Sequence, residues 1–354
     1  MVIASTERRW VMDASMLPRK SAEQSESAMR LVEISAGYWL PRALQVVADL
    51  GVADKIDREP RTAMEISQDL GVSADALNRL LRLLASHGVF ERRAGKYGHN
   101  ELSRALRSDH PQSMRAYVRL LGLPVLWDNW GKLGEVVRTG EPAVKDIFGH
   151  FKRHPEDTGI FDAGMKSKAQ AAIGQVIANY DFSGFETIAD VGGGLGHLLK
   201  AILAATPRAR GVLFDQLHVV NRVQVDDAVG GRMEVRGGDF FKGPLPRCDA
   251  YIVMEVLHDW TDEQSREILR QIRNAAPEKA KLLVVETVLP EESAWAAGKG
   301  AHFGNHLDIN MMVLTGGRER APEEFAQLFG ESGWKLLQVV ATSSPYSIVE
   351  AVAA

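Results

Sequence analysis

The sequence predicts an α/β protein: a doubly wound, mostly parallel sheet that ends in an antiparallel hairpin, preceded by a mainly helical N-terminal region containing a winged helix. Three observations carry this reading. From Ile188 onward, apolar runs at 188–191, 211–215, 233–236, 250–256 and 281–286 alternate with helical stretches, the rhythm of βαβ units. The chain closes with WKLLQVVATSSPYSIVEAV from Trp334, two strand-like runs meeting at Ser343, Ser344 and Pro345, which a uniformly parallel sheet would not contain. Between residues 62 and 100 the pattern is helix, turn, helix and glycine hairpin. At 354 residues the chain also exceeds one ordinary hydrophobic core, so more than one domain is expected.

Residues 1 to about 20 mix Met, Arg, Ser and Pro without a sustained period and are expected to form a poorly ordered arm or a dimer contact. From about Glu23 to Asp54 apolar residues, among them Met29, Val32, Tyr38, Trp39, Val47 and Leu50, recur at helical spacing, with Pro41 expected to break or bend the helix. Thr62 followed by Glu65 predicts a capped helix start, Gly71 its end, and Ser73 the cap of a second helix carrying Leu77, Leu80, Leu81 and Leu84. FERRAGKYGHN from Phe90 then sets a glycine turn between two polar strands, which completes a winged helix. Residues 110 to 180 read as helical throughout, with Trp127, Trp130 and Leu133 on one face and a stop at Thr139 and Gly140. The expected domains are a helical, winged-helix domain over 1–110, a helical connector over 111–180, and the α/β domain over 181–354.

Composition narrows the function classes. Hydrophobic content of 45%, charged content of 25% and a net charge of −4 are those of a globular protein with no electrostatic reason to seek nucleic acid or an anionic membrane surface. A winged helix raises duplex binding as a rival. Between residues 62 and 110, however, seven Arg and Lys face six Asp and Glu, a net +1 that is too little to neutralise several phosphates. The single cysteine, Cys248, allows no intrachain disulfide and agrees with a reducing cytosol. No signal-peptide core is present, and no run approaches the roughly 20 apolar residues of a membrane span. The expectation is a cytoplasmic protein with a small-molecule partner, no nucleic acid and no membrane.

The most informative stretch is IADVGGGLGH, Ile188 to His197, a buried strand turning through glycines into a helix. Glycine there tolerates positive φ and lets a ligand approach the main chain. A second acid, Asp215, closes the next apolar run about 20 residues past the glycines, where a carboxylate grips a ribose diol. The site is therefore read as built for a nucleoside. A dinucleotide fingerprint would place a third glycine at the position of His197. The spacing Gly192-x-Gly194-x-Gly196 instead has the form found in S-adenosylmethionine (SAM) methyltransferases. Six blocks in order, DVGGGLGH at 190, VLFDQ at 212, GGDFF at 237, VLHDW at 256, LLVVE at 282 and GGRER at 316, make the chain resemble the bacterial and plant small-molecule O-methyltransferases that include caffeic acid O-methyltransferase. With the N-terminal portion, the resemblance covers nearly the whole chain.

The resemblance implies a Rossmann-like methyltransferase sheet, a dimerisation role for the N-terminal domain in a homodimer, SAM as cofactor and a small aromatic substrate. It also implies that Asp239 and Phe240 face the adenine. Gly192 and Gly194 would let the methionine moiety pass close to the backbone, and Asp215 would hold the ribose. His258 stands just past the fourth strand, at the carboxyl edge above the same crevice, where an imidazole can take the proton of a phenol before methyl transfer. Glu286 and Glu319 match the two family glutamates that flank that histidine, to orient its ring and stabilise the imidazolium. IFDAGMKSKA from Ile160 resembles the family's F-x-x-A-M helix beside substrate and SAM, with Gly164 in place of alanine. Met254 stands where the plant pattern has a lysine, so one polar contact to SAM is missing or supplied by main chain. His302, Asn305, His306, Asn310, Met311 and Met312 are candidates to line the acceptor pocket, and no metal site is expected. Two rivals remain: a SAM-binding member that decarboxylates, hydroxylates or rearranges its substrate, and a ligand-sensing winged-helix regulator.

Overall fold

A computed structural model of the chain describes residues 19–225, 229, 231–297 and 302–354. The expected N-terminal arm lies, up to residue 18, outside them. Helices α1 (Arg19–Ala36) and α2 (Trp39–Leu50) come first. The break between them falls at Gly37 and Tyr38, whereas Pro41 sits in the first turn of α2, where its missing N–H costs no helical bond. Strand β1 (Arg61–Thr62) leads into α3 (Ala63–Leu70), whose start is a capping box: the Thr62 hydroxyl accepts from the Glu65 N–H at 3.2 Å, and the Glu65 carboxylate accepts from the Thr62 N–H at 2.7 Å. Gly71 ends α3 in the left-handed conformation, and Ser73 caps α4 (Ala74–Ser86). Strands β2 (Glu91–Arg93) and β3 (Lys96–Gly98) close the wing, in the order β1-β3-β2. Val47, Ile56, Ile66, Leu81, Leu84 and Tyr97 form the core of this part. The chain divides after Asn100 into a second unit.

The second unit begins with α5 (Glu101–Arg104), α6 (Arg115–Leu120), α7 (Pro124–Trp130), α8 (Leu133–Thr139), α9 (Ile147–Arg153) and α10 (Pro155–Asn179). The stretch read as helical throughout is thus several short helices and one long one, punctuated where Pro124 can only start a helix and Gly140, at φ 74°, ends one. Leu123 and Leu126 make the buried face here, while Trp130 is exposed and donates its ring N–H to Asn310 at 3.0 Å. Helix α6 crosses α10 at Gly164, where a Cβ would lie 2.9 Å from Leu120 Cβ. That closeness explains the glycine in place of alanine.

The sheet follows: β4 (Thr187–Val191), α11 (His197–Ala205), β5 (Arg210–Asp215), α12 (Leu217–Val220), β6 (Met233–Gly237), β7 (Ala250–Met254), α13 (Asp262–Ala275), β8 (Lys281–Glu286), α14 (Glu292–Ala296), α15 (Phe303–Leu314), α16 (Pro322–Gly330), β9 (Trp334–Ala341) and β10 (Ser347–Ala353). The strand order is β6-β5-β4-β7-β8-β10-β9. The first five strands are parallel, and β10 lies antiparallel between β8 and β9. Alternate residues feed two cores, as the two-residue period of a strand requires. Val191, Phe214, Tyr251, Val253, Leu282 and Val284 pack toward Ile268, Leu269 and Ile272 of α13 and Phe325 and Phe329 of α16. Ile188, Leu213, Ile252, Leu283 and Val285 pack toward Leu199, Ile202 and Leu203 of α11 and Val176 of α10. At about 1.5–3 kcal/mol for each fully buried large side chain, these layers make the sheet a rigid platform for the loops at its carboxyl edge.

Candidate active site

Strand order reverses at β4, whose neighbours are β5 and β7, and the crevice at that switch point is where a doubly wound sheet binds ligands. The glycine turn sits there. Gly192, Gly194 and Gly196 have φ of 74°, 58° and 76°, a region that side chains with a Cβ rarely adopt. A Cβ on Gly192 would come within 2.7 Å of Val256, and one on Gly196 within 2.8 Å of Met233. Beside Gly194 the space is open, so that glycine faces a cavity of about 360 Å³ lined by Gly192, Gly193, Gly194, Asp215, Phe240 and His258, among others.

Asp215 ends β5 as expected and closes on the turn: its carboxylate accepts from the Gly194 N–H at 2.8 Å and from the Gln216 N–H at 2.6 Å. Burial raises its pKa against these two bonds. Asp190, under the turn, is fully buried with both carboxylate oxygens unpartnered, and burial together with nearby Asp215 pushes it to about 7. Phe240 lines the cavity and its ring meets Trp260 edge-on at 5.9 Å. Asp239 is not among the lining residues; it accepts from the Phe241 N–H at 3.0 Å and pairs with Lys242 at 3.0 Å. The glycine turn, the Asp215 oxygens and the Phe240 ring together suit an adenosyl group, with hydrogen-bond acceptors for a diol and an aromatic face for a base.

His258 is positioned by local geometry on both sides. Strand β7 ends at Met254, Glu255 takes φ 52°, residues 257–259 form one 3-10 turn, and Thr261 then caps α13 with Gln264 in a second capping box. The imidazole is buried, and its Nδ1 lies 2.7 Å from Glu319 Oε1. A hydrogen bond from Nδ1–H to that carboxylate fixes the tautomer in which Nε2 carries the free lone pair. Asp259 stands 3.9 Å from Nε2. Burial alone would lower the imidazole's pKa, but Asp259, Glu319 and Glu286 outweigh it and raise it to about 10. Asp259 itself is pushed up by burial to about 6, and Glu286 to about 7.

The two glutamates have different tasks. Glu319 lies against the ring, at the Nδ1 contact. Glu286 does not: its Oε1 accepts from the main-chain N–H groups of Val256 at 3.2 Å and His258 at 3.1 Å, so it orients the backbone of the turn, while its charge still favours the imidazolium. The reason is the register of the sheet, which ends β8 level with the turn's amides and not with the ring.

Arg320 of GGRER is a residue that the sequence does not single out. It is buried and pairs with Asp262 at 2.8 Å, while donating to the carbonyls of Leu257 and Trp260 at 3.0 and 3.1 Å. Beside it a Cβ on Gly317 would lie 1.9 Å from the His258 carbonyl oxygen, so GGRER lies directly on VLHDW. Trp260 packs against Phe241 at 4.9 Å and stacks on Phe148 at 6.1 Å, tying the turn to the GGDFF loop and to α9.

Phe161 and Met165 of α10 line the cavity with Leu120, Phe148, Phe151 and Leu126, an apolar wall. Of the candidates before GGRER, Asn310 and Met311 line it; His302, Asn305, His306 and Met312 do not, and His302 instead caps α15 by accepting from the Gly304 N–H. Among the described residues no group of three His, Cys, Asp or Glu could hold a metal, and no helix is long and apolar enough to cross a membrane.

Comparison with known proteins identifies the family. The O-methyltransferase domain family matches residues 130–335, and the O-methyltransferase dimerisation domain family matches residues 32–109. The chain is 40% identical over 330 residues to the phenazine O-methyltransferase PhzM of Lysobacter antibioticus, covering 91% of this chain and 95% of that protein. Among solved structures, CalO1, a methyltransferase of calicheamicin biosynthesis in its S-adenosylhomocysteine-bound form, superposes with a TM-score of 0.83 at 35% identity, covering 93% of this chain and 98% of that one. NcsB1, an O-methyltransferase of neocarzinostatin biosynthesis crystallised with SAM and 2-hydroxy-5-methyl naphthoic acid, gives 0.72 at 32% identity, with 89% and 96% covered.

Proposed function

This chain belongs to the SAM-dependent O-methyltransferase family, and from that premise we propose that His258 takes the proton of a phenolic hydroxyl on a planar aromatic small molecule of secondary metabolism as the methyl group is transferred to it. The single observation that carries the role is the 2.7 Å contact between His258 Nδ1 and buried Glu319, which leaves Nε2 as the basic atom at the cavity. SAM supplies an electrophilic methyl group on a sulfonium. Gly192, Gly194, Asp215 and Phe240 would hold it, in the roles assigned by their chemistry, and Asp239, beside Phe240 in the same loop, would accept from the adenine amino group.

A neutral phenol is a poor nucleophile until its proton leaves, and a positioned base contributes about 10²- to 10⁴-fold. The raised pKa of His258 matches that of a phenol near 10, so the proton moves between groups of similar affinity. A cation bound in the same cavity disfavours the imidazolium, which increases the neutral fraction of the base when the donor is loaded. The apolar wall of Leu120, Phe148, Phe151, Phe161 and Met165 excludes water and suits a flat ring system. The named acceptors of relatives, a phenazine and a naphthoate among them, are of that kind. Holding donor, methyl carbon and acceptor oxygen in line supplies up to about 7–11 kcal/mol of the barrier.

The assembly proposed is a homodimer. Met29, Leu31, Val32 and Ile34 on α1, with Tyr38 and Trp39, are 60–65% exposed, an apolar surface suited to a second copy, and the dimerisation-domain match over 32–109 takes in the last four of them. The test of function is incubation with methyl-labelled SAM and a panel of hydroxylated polycyclic aromatics. Label in an O-methylated product is expected; consumption of an aromatic with no label in any product would favour the non-methylating rival.

A further inference from the structure

The cavity contains a charged pair that takes no part in proton removal by His258. Lys168, from the middle of α10, and Glu255, at the exit of β7, form an ion pair with side chains only 14% and 6% exposed, and both line the cavity with the glycine turn. Tyr346 donates its hydroxyl to Glu255 at 2.8 Å, and the Lys168 ammonium stands 5.5 Å from the Tyr346 ring centroid. A buried ion pair is weak evidence for stability, because desolvation of both charges offsets their attraction. Glu255 also has φ 52°, a conformation that costs a non-glycine residue about 1–3 kcal/mol and that collects at functional sites. A pair that gains little stability on a strained backbone calls for another purpose.

Its neighbourhood supplies one. Glu255 follows Met254 and precedes the turn that carries His258, and its charge acts on His258, while that of Lys168 acts on Asp259. The pair therefore lines the same cavity as the glycine turn and stands close to the general base, and the amino-acid tail of SAM, which branches from the sulfonium that also bears the adenosyl group and the reacting methyl, must lie in that cavity. That tail is a zwitterion. We propose that Lys168 and Glu255 are the receptor for it, the lysine ammonium donating to the α-carboxylate and the glutamate accepting from the α-ammonium. An ammonium has three donors, and Glu255 occupies one. Met254, at the strand end, carries no group that could do this, so the cation reaches the site from α10.

The inference rests on the SAM-dependent reading, and calorimetry separates the two. The probes are S-adenosylhomocysteine, which carries the zwitterion, and 5′-methylthioadenosine, which has the adenosyl sulfur and lacks it. In Lys168→Met the first should bind about 10- to 100-fold more weakly while the second changes by less than about twofold. Lys168→Met alone leaves Glu255 buried without its cation, so the double variant Lys168→Met/Glu255→Gln, which removes both charges, is measured alongside and should show the same selective loss. Equal losses for both probes, or no loss for either, would overturn the proposal in favour of a purely structural pair. Recovery of the unaltered protein's S-adenosylhomocysteine affinity in the double variant would overturn it too, since Lys168 would then serve only to neutralise Glu255. Failure of the unaltered protein to bind S-adenosylhomocysteine would remove the reading beneath it, and this inference as well.

Discussion

His258 works through what surrounds it. Its folded-state pKa of about 10 lies above the ordinary 6.5, so the ionic stabilisation that the imidazolium gives the fold is fully present below about pH 6.5 and is lost as pH rises toward 10. Catalysis needs the opposite form, and turnover should therefore climb with pH through the neutral range. Glu319→Gln removes one of the anions that raise the imidazole, so the rising limb of its pH–rate profile should move to lower pH, while its maximal rate falls because the ring loses its holder. An unmoved limb would refute the coupling. His258→Ala should lose about 10²- to 10⁴-fold in kcat with calorimetric affinity for S-adenosylhomocysteine unchanged; near-normal turnover would refute the base assignment. Asp259, 3.9 Å from Nε2, is a further acid at this histidine that the sequence does not mark as such.

At the scale of elements, the site depends on how closely pieces approach. Helix α10 brings Phe161, Met165 and Lys168 to the cavity on one face, at steps of three to four residues, and Gly164 lets Leu120 of α6 meet it. Gly164→Ala sets two effects against each other. Alanine gains up to about 1 kcal/mol of helix propensity, and the clash with Leu120 and the Ala116 carbonyl costs about 1–3 kcal/mol as overpacking. The clash should win, giving a small fall in denaturation midpoint and a severalfold rise in the KM of the aromatic acceptor as α6 is displaced. A stabilised variant with unchanged KM would show that the helices separate without consequence. The VLHDW turn is held in the same spirit from three directions: Glu286 on its amides, Arg320 on its carbonyls, and the capping box of α13 behind it.

For the whole molecule, the apolar face on α1 and the start of α2 is out of proportion to a monomer's surface, where large side chains appear singly. Val32→Glu combined with Trp39→Glu should convert a dimer to a monomer in sedimentation equilibrium, since two desolvated carboxylates per copy cost more than the lost apolar contact alone. A dimer unchanged by both charges would place the interface elsewhere. Coupling of assembly to turnover can be read from the same variant by assaying it at concentrations where it is fully monomeric.

Much of this was legible in the sequence because the determinants are local. The Thr62–Glu65 and Ser73 caps, the Gly71 stop, the positive-φ glycines after β4, Asp215 at the end of β5 and the C-terminal hairpin each depend on bonds or steric limits spanning a few residues, and periodicity records which face is buried. What tertiary structure decided are pairings across long separations. His258 meets Glu319 across 61 positions, Lys168 meets Glu255 across 87, Arg320 reaches back to Leu257 across 63, and Glu286 turns out to hold amides and not a ring. No local rule sets these, because which side chains converge at the carboxyl edge follows from strand order and register, and from helices laid over that edge, and those are settled by burying the sheet's two faces at once.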